Sequence, residues 1–153
     1  NLFTTKGKAL LDGFNIKTLT LLQTVRIPVE LTLYWLYLHK AVPGILTFEG
    51  RNFDVLSGLS APFIYYFGFI KKSIGKNWLI AWNIVCLLLL INVVVNSILS
   101  LPTPFQKFAF DQPNIAIGYF PFMLLPSFLV PMVVLSHIAS LRQLSQIKLQ
   151  IVK

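Results

Sequence analysis

Charge is scarce in this chain. Only 12% of its 153 residues are Asp, Glu, Lys or Arg, and five of them are acidic. Soluble domains carry about 25%, so the deficit argues against a surface solvated by water. Cysteine is nearly absent too: the single Cys86 excludes an internal disulfide and a metal site built on cysteines. Common catalytic fingerprints are missing, with no G-x-S-x-G elbow, H-E-x-x-H pair, P-loop or Rossmann glycine signature. GLSAP, beginning at Gly58, comes nearest to the elbow and lacks its second glycine. A membrane enzyme using Glu30 as base would need a second catalytic group, and no convincing one is present.

What the chain has in quantity is apolar: 56% hydrophobic and 14% aromatic residues, with a mean hydropathy of +0.72. A bilayer core of about 30 Å needs roughly 20 apolar residues in a helix. Four stretches meet or approach that length, at about residues 18–38, 55–70, 78–101 and 115–141. Barrel strands would alternate in polarity; LLLLINVVV does not. The predicted fold is therefore all-α, an integral membrane helical bundle forming one transmembrane domain over residues 1–153. Because the chain begins with Asn1 rather than Met, it is expected to be a fragment, with upstream spans missing, or a processed form.

The net charge of +8 lies between the apolar runs, not in a basic domain, so the expected partner is a lipid bilayer and not nucleic acid. Lys6, Lys8, Lys17, Lys71, Lys72, Lys76, Arg142, Lys148 and Lys153 fall on one side of a four-span topology. Lys40, Arg51 and Lys107 fall on the other. Nine against three predicts a multi-pass protein of the bacterial inner membrane with both visible termini cytoplasmic. Tyr34, Trp35, Tyr37, Trp78 and Tyr119 come near predicted span ends, where amphipathic rings favour the interface. Asp54 and Asn114 stand where N-caps of the second and fourth spans are expected.

Charges are costly in hydrocarbon, at about 2.5–3.5 kcal/mol for one at a helix centre. The first span nevertheless carries two, in RIPVE. Residues four apart share a helix face, so Arg26 and Glu30 are neighbours, and the face extends through Thr20, Gln23, Tyr34 and Tyr37. Such a polar stripe is expected to face the bundle interior or a wet cavity, with the two charges compensating each other. Pro28 between them removes a helical donor and predicts a kink. Three roles are open: a structural lock tied to Asn92, Asn96 or Ser127 across the interior, a transport or proton-relay path, or an anchor for a ligand. The candidate intramembrane polar site is Gln23, Arg26, Glu30, Tyr34, Asn92 and Asn96.

Ser57, Gly58, Ser60 and Ala61 allow close helix approach. His39 and His137 fall in opposite leaflets by this topology, too far apart to share a metal, and no cofactor is expected; His137 with Ser136 and Ser140 reads as an interfacial cluster. The outer loop HKAVPGILTFEGRNFD reads as a self-paired cap dipping back to the interface, or as a ligand-binding loop. Pro121, Pro126 and Pro131 make a straight fourth helix improbable. They either mark a broken-helix transport site or simply shorten an over-long helix.

At RIPVELTLYWLYLHKAVPGILTFEGRNFD, and again at FAFDQPNIAIGYFPF followed by SHIASLRQL, the chain resembles an uncharacterised family of small polytopic bacterial membrane proteins. That resemblance covers most of the chain, implies a missing N-terminal span, and implies no activity or functional residues. The expected function is a non-catalytic membrane component, with a membrane-protein partner or a second copy of itself. The alternative is a small transporter or proton-coupled carrier using Arg26 and Glu30.

Overall fold

The computed structural model describes residues 5–146, so Lys148 and Lys153 of the predicted cytoplasmic tail lie outside it. Among these residues all regular elements are helical. α1 (Thr5–Gly13) leads to α2 (Ile16–Leu22), which Asn15 caps by accepting the Lys17 N–H at 3.0 Å. A 3-10 turn over Gln23–Val25 connects α2 to α3 (Arg26–Leu38). α4 (Val55–Tyr65) continues as a π turn over Tyr66–Ile70. α5 is Lys76–Leu99, and α6 is Val130–Gln146, entered through a π turn at Leu125–Leu129.

Among the described residues two helices, rather than the expected four, are long and apolar enough to cross a membrane: Lys76–Leu99 and Leu125–Gln146. The predicted first span is divided by the 3-10 turn, leaving 13 residues in α3. The second keeps its predicted bounds as Val55–Ile70, a shorter apolar helix. The fourth begins ten residues late, because residues 115–124 form turns around a short 3-10 segment, Ala116–Gly118. Pro126 stands in the opening turn of this helix, where its missing N–H costs no bond. Pro131 follows the π turn inside the Leu125–Gln146 helix, which runs on through it. Pro28 likewise falls in the first turn of α3, and the predicted kink is realised upstream as the 3-10 turn.

Among the described residues two small clusters of buried apolar side chains stand out, with Leu79, Leu90, Val133 and Leu144 buried outside them. Leu11, Leu19 and Ala139 join α1 and α2 to α6, while Leu36, Val42, Leu46 and Ala116 close the far end of α3. Along the α2–α3 run these clusters lie at opposite ends, and the residues buried between them are Thr20, Gln23, Arg26, Glu30 and Leu33. Meanwhile α5 exposes Ile84, Val85, Leu88, Ile91, Val95 and Ile98 and buries Leu79, Asn83, Cys86, Leu90 and Asn96. About half of the buried residues are polar or charged, a larger share than interiors usually hold.

Candidate functional site

The buried polar site begins with a glycine. A Cβ on Gly58 would stand 3.0 Å from Ile27 Cγ1 and 3.2 Å from the Ile27 nitrogen, so only the missing side chain lets α4 lie this close to α3. Ser57 and Ala61 line the same buried face. Asp54 stands one helical turn before Gly58 and is thereby brought against Arg26, whose Nη1 donates to Asp54 Oδ1. The expected cap is corrected: Asp54 makes no side-chain capping bond to α4, because its carboxylate faces the guanidinium instead.

Arg26 makes two further contacts. Nη1 also donates to the Cys86 carbonyl of α5 at 3.1 Å, and Nη2 lies 2.8 Å from His137 Nε2 on α6. Asn83 Nδ2 donates to the Leu79 carbonyl at 2.8 Å, which turns Asn83 Oδ1 toward His137 Nδ1, 2.9 Å away. With a donor facing Nε2 and an acceptor facing Nδ1, the network assigns the proton to Nδ1 and leaves the imidazole neutral. One arginine thus joins α3, α4, α5 and α6.

Glu30 shares the buried face with Arg26 but not its ion pair, so the expected mutual compensation is replaced by two separate arrangements. Asn52 Nδ2 donates to Glu30 Oε1 and, at 2.8 Å, to the Leu46 carbonyl; Asn52 Oδ1 accepts the Asp54 N–H at 2.9 Å. Asn52 arrives there because its loop folds tightly at Gly50, where a Cβ would lie 2.3 Å from the Gly44 carbonyl oxygen. The other carboxylate oxygen, Glu30 Oε2, is buried with no hydrogen-bond partner among the described residues. Glu30 lines a cavity of about 340 Å³ whose wall also holds Asp54 and Ser97 and is otherwise apolar, including Leu33, Leu90, Val94, Ile98 and Val130.

The remaining predicted residues are scattered. Gln23 Nε2 donates to Ser136 Oγ, one turn before Arg26. Tyr34 is half-buried and reaches outward, its hydroxyl donating to Glu49 Oε1 at 3.2 Å. Asn92 is exposed and donates to the Arg51 carbonyl at 2.9 Å, while Asn96 donates to Asn92 Oδ1 at 3.1 Å. Neither asparagine contacts the charged cluster, and Ser127 bonds only the Met123 carbonyl. Asn114 donates to Ser97 Oγ at 2.8 Å and caps no helix. His39 is exposed and stacked near Trp35. His137, expected at an interface, is completely buried. The late start at Leu125 places it near the middle of its helix.

Asp54, Asn52, Asn83 and His137 are the members that the sequence reading missed. For Asp54 a signal was present: Asp54, Ser57, Gly58 and Ala61 fall on one helix face, so the small residues that invite a neighbour point where the carboxylate points. Asn52 carried none, since its position depends on the fold of a loop.

Away from this cluster, Arg142 Nε and Nη2 both reach the Asp12 carboxylate at 2.9 Å, tying α1 to the end of α6. The Arg142 hydrogen bond holds the Asp12 carboxyl below the usual carboxylate range.

Residues 6–145 match the model of a family described as a domain of unknown function, DUF8737, and the chain belongs to that family. No curated protein and no solved structure matches the chain.

Proposed function

We propose that this chain is a multi-pass α-helical protein of the bacterial inner membrane, a non-catalytic membrane component whose buried charges lock its helices together. One observation carries the reading: about half of the buried residues are polar or charged, while α5 turns a row of aliphatic side chains outward. A soluble protein's core helix is mostly buried, whereas 22% of the most apolar window of α5 is buried here. Lipid solvates the aliphatic exterior, and the cost of burying Arg26 and Asp54 is offset by pairing and by the acceptors at Cys86 and His137. Without a hydrophobic force between helices in lipid, polar contacts and close packing at small residues hold a bundle together. Gly58 and the Arg26 hub supply both.

Alkaline carbonate extraction of membranes from expressing cells tests the location. The protein is expected in the pellet, and recovery in the supernatant overturns the reading. The carrier alternative is favoured by Glu30, which lines the cavity and has one carboxylate oxygen without a partner among the described residues. Labelling of a cysteine placed at position 23 or 30 by membrane-impermeant reagents supports a water path; protection from both sides counts against one.

A further inference from the structure

Three features of the cavity beside Glu30 are chemically unbalanced. The first is charge. The buried cluster contains one guanidinium, Arg26, and two carboxyl groups, Glu30 and Asp54, while its histidine is neutral by the hydrogen-bond pattern. Arg26 pairs with Asp54, so Glu30 is the carboxyl left without a cationic partner in the cluster. The second is hydrogen bonding. Glu30 is 2% exposed and lines the cavity; its Oε1 is taken by Asn52, and its Oε2 has no donor among the described residues. The third is shape: about 340 Å³ bounded mainly by aliphatic side chains from α3, α5 and the entry to α6, with Asp54 and Ser97 also in the wall, within the range of small-molecule sites.

Carboxyl groups of Glu30 and Asp54 in a mainly aliphatic wall select for a cationic N–H donor attached to an apolar body. We propose that this cavity binds a lipophilic primary amine, its ammonium donating to the Glu30 carboxyl and its hydrocarbon lying among Leu33, Leu90, Val94 and Ile98. A quaternary ammonium supplies the charge but no donor, and an alcohol supplies the donor without the charge. Exposed Ile98 and Pro126 belong to the cavity wall and mark its open side, between α5 and the π turn. In the membrane reading proposed above, on which the route of entry rests, this opening faces the hydrocarbon, so the ligand enters from the lipid and not from water.

The test is the thermal unfolding of the full chain in dodecyl maltoside, with and without 1-octylamine, against 1-octanol as the uncharged match. Binding to the folded state raises the midpoint with ligand concentration. The amine is expected to raise it by several degrees more than the alcohol. That difference should vanish in Glu30→Gln, and also in Ile98→Trp, which fills the cavity from its exposed wall without touching the charged cluster. Equal shifts with amine and alcohol overturn the proposal, because Glu30 then carries its own proton. A difference retained in Ile98→Trp overturns it as well. Should Glu30→Gln fail to fold, photolabelling of the parent with a diazirine-bearing alkylamine decides: adducts on residues 90–101 and 125–130 are expected, and labelling spread evenly over the apolar exterior rejects the pocket. Protein released by carbonate yet still stabilised by the amine would sink the membrane reading and leave the pocket standing.

Discussion

Two arginine–aspartate pairs, Arg26–Asp54 and Arg142–Asp12, use the same groups in opposite surroundings. The side chains of the first are 3% and 7% exposed, those of the second 27% and 36%. Arg142 makes the better-formed fork, with both bonds at 2.9 Å. Even so, water competes for each of its charges, and exposed pairs contribute little. Arg26 has no such alternative. If one partner is removed, the other stays in the interior with its desolvation uncompensated. Contact geometry alone would rank the pairs in the wrong order; burial reverses it.

The largest expected effect is therefore at Arg26. Arg26→Gln, leaving Asp54 unpaired, should cost about 3–5 kcal/mol, read as a fall in the unfolding midpoint in detergent. Arg26→Gln with Asp54→Asn should recover much of that loss, whereas Arg26→Gln with Glu30→Gln should not. Recovery with the Glu30 change instead would restore the simple helical-neighbour pairing and break the comparison. Next is Gly58→Val, which pushes α4 from α3 and should cost about 1–3 kcal/mol by overpacking. Its Asp54-to-Arg26 separation, followed by a spin-label pair on the two helices, should lengthen.

His137→Leu removes an acceptor from a charged donor and should cost about 1.5–3 kcal/mol in the same unfolding assay. A tolerated His137→Leu would mean that Arg26 depends on Asp54 and the Cys86 carbonyl alone. Arg142→Gln should leave the midpoint unchanged and only quicken hydrogen exchange in α1. The pH dependence has a defined sign. Because the Arg142 hydrogen bond lowers the Asp12 pKa in the folded chain, its contribution is complete above the ordinary carboxylate value and lost as pH falls through the lowered one. Protection of the α1 amides, with exchange rates corrected for their intrinsic pH dependence, should thus fall only on the acid side, and a loss of protection on raising the pH from neutral would contradict the pair's role.

Much of the fold was legible because it is local. The run VCLLLLINVVV marks α5, predicted over residues 78–101 and found at Lys76–Leu99. Spacing by threes and fours identified the polar face of α3, of which Gln23, Arg26 and Glu30 are buried. Length misled where helicity changed character. The first predicted span is interrupted at Gln23–Val25, and ten residues of the fourth are turns. Hydropathy counts apolar residues without knowing whether their backbone bonds continue.

By itself the sequence determined the helical class, the scarcity of charge and the face of α3 on which charge is concentrated, since composition and 3.6-residue periodicity act within one segment. Only the tertiary structure decided which carboxylate meets Arg26. Helical spacing favours Glu30, four residues away, but the close approach allowed by Gly58 brings Asp54, 28 residues on, to the guanidinium. Asn52 then occupies one oxygen of Glu30, which lines the cavity, and leaves the other without a partner among the described residues. Two side chains on one helix share a face at a separation set by the helix, whereas a neighbouring helix can bring a carboxylate into direct contact.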